Sequence, residues 1–160
     1  MESLPPPTFA PGSLYIAGFT QARAPHVALL IPNDAQIGDL VHIRIDRATS
    51  PAWQYQHRAQ KISGDMFLSS LLKIHDNSAR QITVDQLKAA ASVVPAPSND
   101  TFGECGPWVL KVVEYLDKEG LLTLKNAAAL LDEFNTLATS SRGFARRDRF
   151  PNVAVSENCV

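Results

Sequence analysis

His26-Val27-Ala28-Leu29-Leu30-Ile31, then Pro32-Asn33-Asp34, then Leu40-Val41-His42-Ile43-Arg44-Ile45-Asp46: these stretches decide the fold class. The first run is apolar at every position after its histidine, the pattern of a strand buried on both faces. The last run alternates. Val41, Ile43 and Ile45 share one face, and His42, Arg44 and Asp46 share the other. Pro32-Asn33-Asp34 and Gly38-Asp39 are turn residues, so the two runs read as antiparallel neighbours. Working outward, Leu14–Phe19 supplies a strand before the pair, and residues 53–62 and 67–74 supply two after it. The 53–62 segment is mostly polar and belongs near a sheet edge.

Beyond residue 80 the period changes. Thr83 is the expected N-cap of a helix over residues 84–94, with Leu87, Ala90, Ala91 and Val94 as its buried stripe. A second helix is predicted over 107–119, burying Trp108, Val109, Val112, Val113 and Leu116, with Gly120 at its C′ position. A third is expected to start at a Thr123 cap and to bury Leu124, Ala127, Ala128, Leu131, Phe134 and Ala138. The chain thus reads as α+β, an antiparallel sheet of about five strands followed by about three helices. Residues 1–12, with Pro5-Pro6-Pro7 and Pro11, are expected to form an extended arm, and residues 13–140 a single catalytic-type domain. Residues 141–160, with Arg142, Arg146, Arg147 and Arg149, read as a solvated basic tail whose Cys159 is mobile and dispensable.

Composition narrows the function classes. A chain of 160 residues, 45% of them apolar, is long enough for one domain with a sizeable core. Its 15 basic and 16 acidic residues leave a formal charge of −1, which gives no whole-chain attraction to nucleic acid. Two cysteines exclude a disulfide-built scaffold and a four-cysteine zinc site. The densest apolar run, Val27-Ala28-Leu29-Leu30-Ile31, is far shorter than the ~20 residues of a membrane span. The first residues lack the basic and apolar regions of a signal peptide. A cytoplasmic protein without a stable membrane anchor is the expectation. Its oligomeric state is left open by these patterns.

Three residues stand out chemically. Cys105 lies in Gly103-Glu104-Cys105-Gly106-Pro107-Trp108, and proline favours the first helical turn, so the cysteine falls at or just before a helix start. There the helix dipole and free N–H groups favour thiolate, whereas the Glu104 carboxylate opposes it. A buried, inert cysteine beside Trp108 is the plainer alternative. His26 opens an apolar strand, and His42 sits on the polar face of the next one. His26, His42 and Cys105 contain no short-spaced ligand pair, so neither a metal nor another cofactor is expected. His57 and His75 lie in polar surroundings and are expected to be solvated. Trp53, Tyr55 and Trp108 are candidates for an apolar pocket, though such aromatic residues are more often core.

The order of these elements resembles a known superfamily. The His26-Val27-Ala28-Leu29-Leu30-Ile31 strand, His42 after a turn, Trp53, and a distant Cys105-Gly106-Pro107-Trp108-Val109 helix start are similar to the circularly permuted branch of the papain-like NlpC superfamily. That branch holds lecithin–retinol acyltransferase-like enzymes and PPPDE-type peptidases, and the resemblance is closest to small, largely fungal proteins of unknown function. The resemblance implies a permuted papain-like arrangement with Cys105 as nucleophile, His26 as general base and His42 orienting His26. Many members carry asparagine where this chain has Glu104. Asp46 is an alternative orienting residue, because a loop symmetric about residues 35–36 would face it, or Ile45, toward His26. The implied function is a thiol-dependent enzyme acting on an amide, ester or thioester of a small-molecule or peptide-like acyl substrate, by hydrolysis, acyl transfer or cyclisation. Two alternatives remain: a small-molecule cyclase or isomerase using the same pocket by acid–base chemistry, and a non-catalytic binding module.

Overall fold

The computed structural model of the chain describes residues 4–20, 26–45, 48, 51–99 and 103–160. Five strands follow one another: β1 (Leu14–Phe19), β2 (His26–Pro32), β3 (Ile37–Arg44), β4 (Gln54–Lys61) and β5 (Leu68–His75). Three helices come next, α1 (Val84–Val93), α2 (Cys105–Lys118) and α3 (Ala127–Ser140), and a final strand, β6 (Asn152–Val155), closes the order. The sheet runs β4-β3-β2-β1-β5-β6, antiparallel except for the parallel β5–β6 pair. The α+β class is as the sequence predicts. The sheet has one strand more, and it is mixed.

Strand composition sets the order. β1 and β5 are buried at every position, and β2 at every position after His26, so these strands occupy the interior of the sheet. β4, with Gln54, Gln56, Arg58 and Gln60 on one face, takes the edge. Between β2 and β3, Asp34 turns the chain, its carboxylate accepting from the Gln36 and Ile37 amides at 2.7 and 3.0 Å. At Gly38 a Cβ would stand 2.7 Å from the Ile31 carbonyl oxygen, so only glycine permits this close pairing.

The two faces carry different cores. Ile16, Val27, Leu29, Val41, Ile43 and Leu72 point toward the three helices and meet Trp108, Val112, Leu116 and Phe134. Tyr15, Ala17, Phe19, Ala28, Leu30, Leu40 and Leu71 point the other way, where Phe9 and Phe150 cover them. Thr83 caps α1 as expected, in a reciprocal box with Gln86. Gly120, at a φ of 75°, ends α2 with its amide on the Asp117 carbonyl and the Leu121 amide on that of Leu116.

Several expectations are overturned. The proline-rich arm is not free along its length: Phe9 is buried, stacks on Tyr15 at 5.8 Å and meets Phe150 edge-on at 5.0 Å. The C-terminal segment is not a solvated tail, since β6 joins β5 and Cys159 is 2% exposed. Thr123 does not cap α3. Its amide bonds the Val160 carbonyl and its carbonyl the Val160 amide, and the cap is Asn126, which accepts from the Ala129 amide at 3.0 Å. His75 is buried, with its Nε2 on the Arg80 carbonyl and its Nδ1 unpartnered, and His57 pairs with Asp39 at 2.8 Å. Among the described residues no helix is long and apolar enough to cross a membrane.

Two stability changes follow from this packing. At Gly18 a Cβ would stand 2.4 Å from Ser70 Oγ and 2.9 Å from Phe134 Cζ, so Gly18→Ala should destabilise by about 1–3 kcal/mol. Urea unfolding measures it, and an unchanged midpoint would mean that α3 is not seated over β1. Deleting residues 156–160 removes Cys159 from the core and the backbone partners of Thr123 and Lys125. The midpoint should fall, and a truncated chain as stable as the full one would contradict this packing.

Candidate active site

The site begins with strand register. β2 pairs with β3 from Leu29↔Val41 to Pro32↔Gly38, a register centred on residue 35. Continued toward the start of β2, that register sets His26 opposite Arg44 and makes His42 its diagonal neighbour on the same face. Long side chains reach each other across such a diagonal. A centre only half a residue later would have put Ile45 opposite His26 and turned His42 to the other face. Asp46, the alternative orienting residue, lies outside the described residues.

His26 and His42 meet. His26 Nε2 is 2.6 Å from His42 Nδ1, with the rings edge to face at 4.9 Å between centroids. His42 Nε2 is in turn 2.8 Å from Oε1 of Gln56, its direct partner on β4. The Gln56 carbonyl oxygen only accepts, so His42 carries its proton on Nε2. Neutral His42 then accepts at Nδ1, and His26 donates from Nε2. His26 Nδ1 is left with its lone pair. The chain Gln56–His42–His26 thus defines a proton-accepting atom at the start of β2.

Burial keeps both rings neutral. It lowers His26 to about 4, helped by the neighbouring His42, Arg58 and Arg44. It also lowers His42 to about 4, against an opposing contribution from the Gln56 hydrogen bond. Two imidazoles in contact cannot both take a proton cheaply, which adds to the same direction.

Cys105 arrives from the helical layer. It is the first residue of α2, 7% exposed, and belongs to the core on the helix side. The amides of Val27, one residue from His26, and of Gly106 and Cys105 itself act on its thiol in the direction of thiolate. The β2–β3 ladder stops at Leu29↔Val41, so at the Val27 amide no β3 residue is paired with β2. The three amides favour thiolate, but burial outweighs them and pushes the thiol up. The thiolate expected from the helix start is therefore not the resting form. The resting forms are thus a protonated thiol and neutral imidazoles. Among the described residues no hydrogen bond joins the sulfur to either histidine ring.

A cavity of about 710 Å³ lies on the face opposite the helices, lined by His26, Phe19, Thr20, Arg58, Met66, Phe67, Arg142 and Ala145. Cys105 is not among these residues. Trp53, Tyr55 and Trp108 pack into the helix-side core, with Trp108 2% exposed and bonded through Nε1 to the Val94 carbonyl. Among the described residues no cluster of three His, Cys, Asp or Glu side chains could hold a metal.

Gln56 and Arg58 were not singled out in the sequence, where a polar edge strand looks merely solvated. Their signal was alternation: Gln54, Gln56, Arg58 and Gln60 fall on the face that His42 shares. No protein family, curated protein or solved structure matches the chain.

The buried imidazoles predict an acid-sensitive fold. Each titrates near 6.5 when unfolded and near 4 when folded, so the unfolded chain binds more protons between those values. The stabilisation is complete above pH 6.5 and is lost as the pH falls toward 4, by on the order of a few kcal/mol. Urea midpoints across that window should decline, and less steeply in His42→Gln. A flat profile, or imidazole signals titrating near 6.5 in the folded protein, would contradict the burial.

Proposed function

We propose that the chain is a thiol-dependent enzyme acting on an amide, ester or thioester, of permuted papain-like arrangement, with Cys105 as nucleophile, His26 as general base, and His42 and Gln56 as positioning residues. The observation that carries this reading is the Gln56–His42–His26 chain. It leaves the lone pair of His26 Nδ1 at the end of the strand whose next amide, that of Val27, acts on the Cys105 thiol.

The thiol is protonated at rest, so the proton moves as the bond forms. Cys105 gives its S–H proton to His26 Nδ1 while the sulfur attacks the acyl carbon. The carbonyl oxygen takes the electron pair, near the free amides at the start of α2. Collapse expels the leaving group, which takes the proton back from His26, and an acyl-Cys105 thioester remains. Water, an alcohol or an amine then gives its proton to His26 and attacks the thioester, releasing the thiol. His26 becomes cationic only in passing, and the His42 lone pair keeps its Nε2–H oriented throughout.

One observation favours a second reading. His26 lines the cavity and Cys105 does not, which suits acid–base cyclisation or isomerisation of a small molecule without a covalent step.

Intact-mass analysis after incubation with p-nitrophenyl esters and acyl thioesters of varied chain length separates the two. The thiol reading predicts one acyl group on Cys105, none in Cys105→Ala, and turnover reduced about 100- to 10,000-fold in His26→Ala. Turnover that survives Cys105→Ala but not His26→Ala would replace it with the acid–base reading.

A further inference from the structure

The cavity beside His26 has a composition that Cys105 chemistry does not explain. Its walls are apolar and unusually exposed: Phe67 is 55% and Met66 43% accessible, with Phe19 and Ala145 beside them. Among the described residues, the charged side chains that line it are two arginines, Arg58 and Arg142. Arg58 donates to the neutral Gln60 Oε1 at 2.9 Å, and among the described residues neither arginine forms an ion pair with a carboxylate. Arg147 adds a third guanidinium at the rim, its Nη2 3.7 Å from Met66 Sδ.

The nearest acid in sequence is already engaged. Asp65 Oδ1 accepts from the Phe67 and Leu68 amides at 2.8 and 2.9 Å, and Oδ2 accepts from Gln60 Nε2 at 3.1 Å. Nearby, Arg146 pairs with Asp148 and Arg149 lies over the Phe144 ring. Arg58 and Arg142 come from distant parts of the sequence, one on the edge strand and one after α3. Planar guanidinium groups that pair with no carboxylate among the described residues, set beside apolar side chains, suit an oxyanion joined to an apolar body. A volume of about 710 Å³ is that of a small-molecule site.

We propose that this cavity binds a small amphiphile with one oxyanion head group, a carboxylate or a phosphate monoester. Arg58 and Arg142 hold the head, and Phe19, Met66 and Phe67 cover the body. The inference rests on the functional reading only in making this ligand the substrate, whose reacting carbon would then lie near His26. Binding itself needs no thiol.

Isothermal titration of the Cys105→Ser chain with decanoate, decyl phosphate and 1-decanol, all below micellar concentration, tests the inference apart from catalysis. At least one of the two anions should bind about tenfold or more tighter than the alcohol, and the tighter anion identifies the head group. The double variant Arg58→Gln, Arg142→Gln alters two exposed side chains and should abolish that preference. Phe67→Ala should weaken all three ligands alike. Equal affinity for the alcohol, a preference that survives the double variant, or binding to anionic phosphatidylserine vesicles but to none of the monomeric ligands would each overturn it. Failure here leaves the acyl-Cys105 measurement intact, and failure of that measurement leaves this one.

Discussion

The two-residue period of β3 is the constraint on which the site depends. Val41 and Ile43 are drawn into the helix-side core, so Leu40 and His42 must face the other way. The register with β2 then brings His26 onto the same face as His42, and the register with β4 sets Gln56 directly against it. Slipping either pairing by one residue would exchange the buried faces and break the chain of three side chains at once. The apolar residues that fold the sheet are therefore the ones that aim the imidazoles.

The same pairing leaves both faces of β1 and β2 apolar, and both must be covered. Three helices suffice for one face. The other is closed by pieces from the two ends of the chain, Phe9 and Phe150, whose rings meet over Tyr15. That cover is incomplete, and the uncovered part is the cavity beside His26. Cys105 and the cavity thus belong to different layers, and the start of β2 bears on both: His26 lines the cavity, and the amide of the next residue acts on the Cys105 thiol.

Much of this was legible in the residues. The doubly apolar run of β2, the alternation of β3, the polar edge of β4, the Thr83 cap and Gly120 each specify their element through local chemistry. β6 was not legible, because Asn152–Val155 is four residues long and its pairing comes from the distant β5 edge. Cys159 is held by a bridge to Leu124, which no local pattern announces. Whether His42 shares a face with His26 turned on half a residue of register, finer than turn residues alone define. Gln56 escaped notice because its value lies in the histidine it touches. The helix start was read correctly as the position of Cys105, but its electrostatic effect is outweighed by burial, which only packing reveals.

The account stands on the direction of the proton chain. Imidazole 15N chemical shifts and one-bond N–H couplings of His26 and His42, recorded at neutral pH, report it directly. The prediction is two neutral rings, both protonated at Nε2, with His26 Nδ1 bare and the His26 Nε2 proton bonded to His42 Nδ1. A His26 ring protonated at Nδ1, or a cationic His42, would reverse the chain and leave Cys105 without its base.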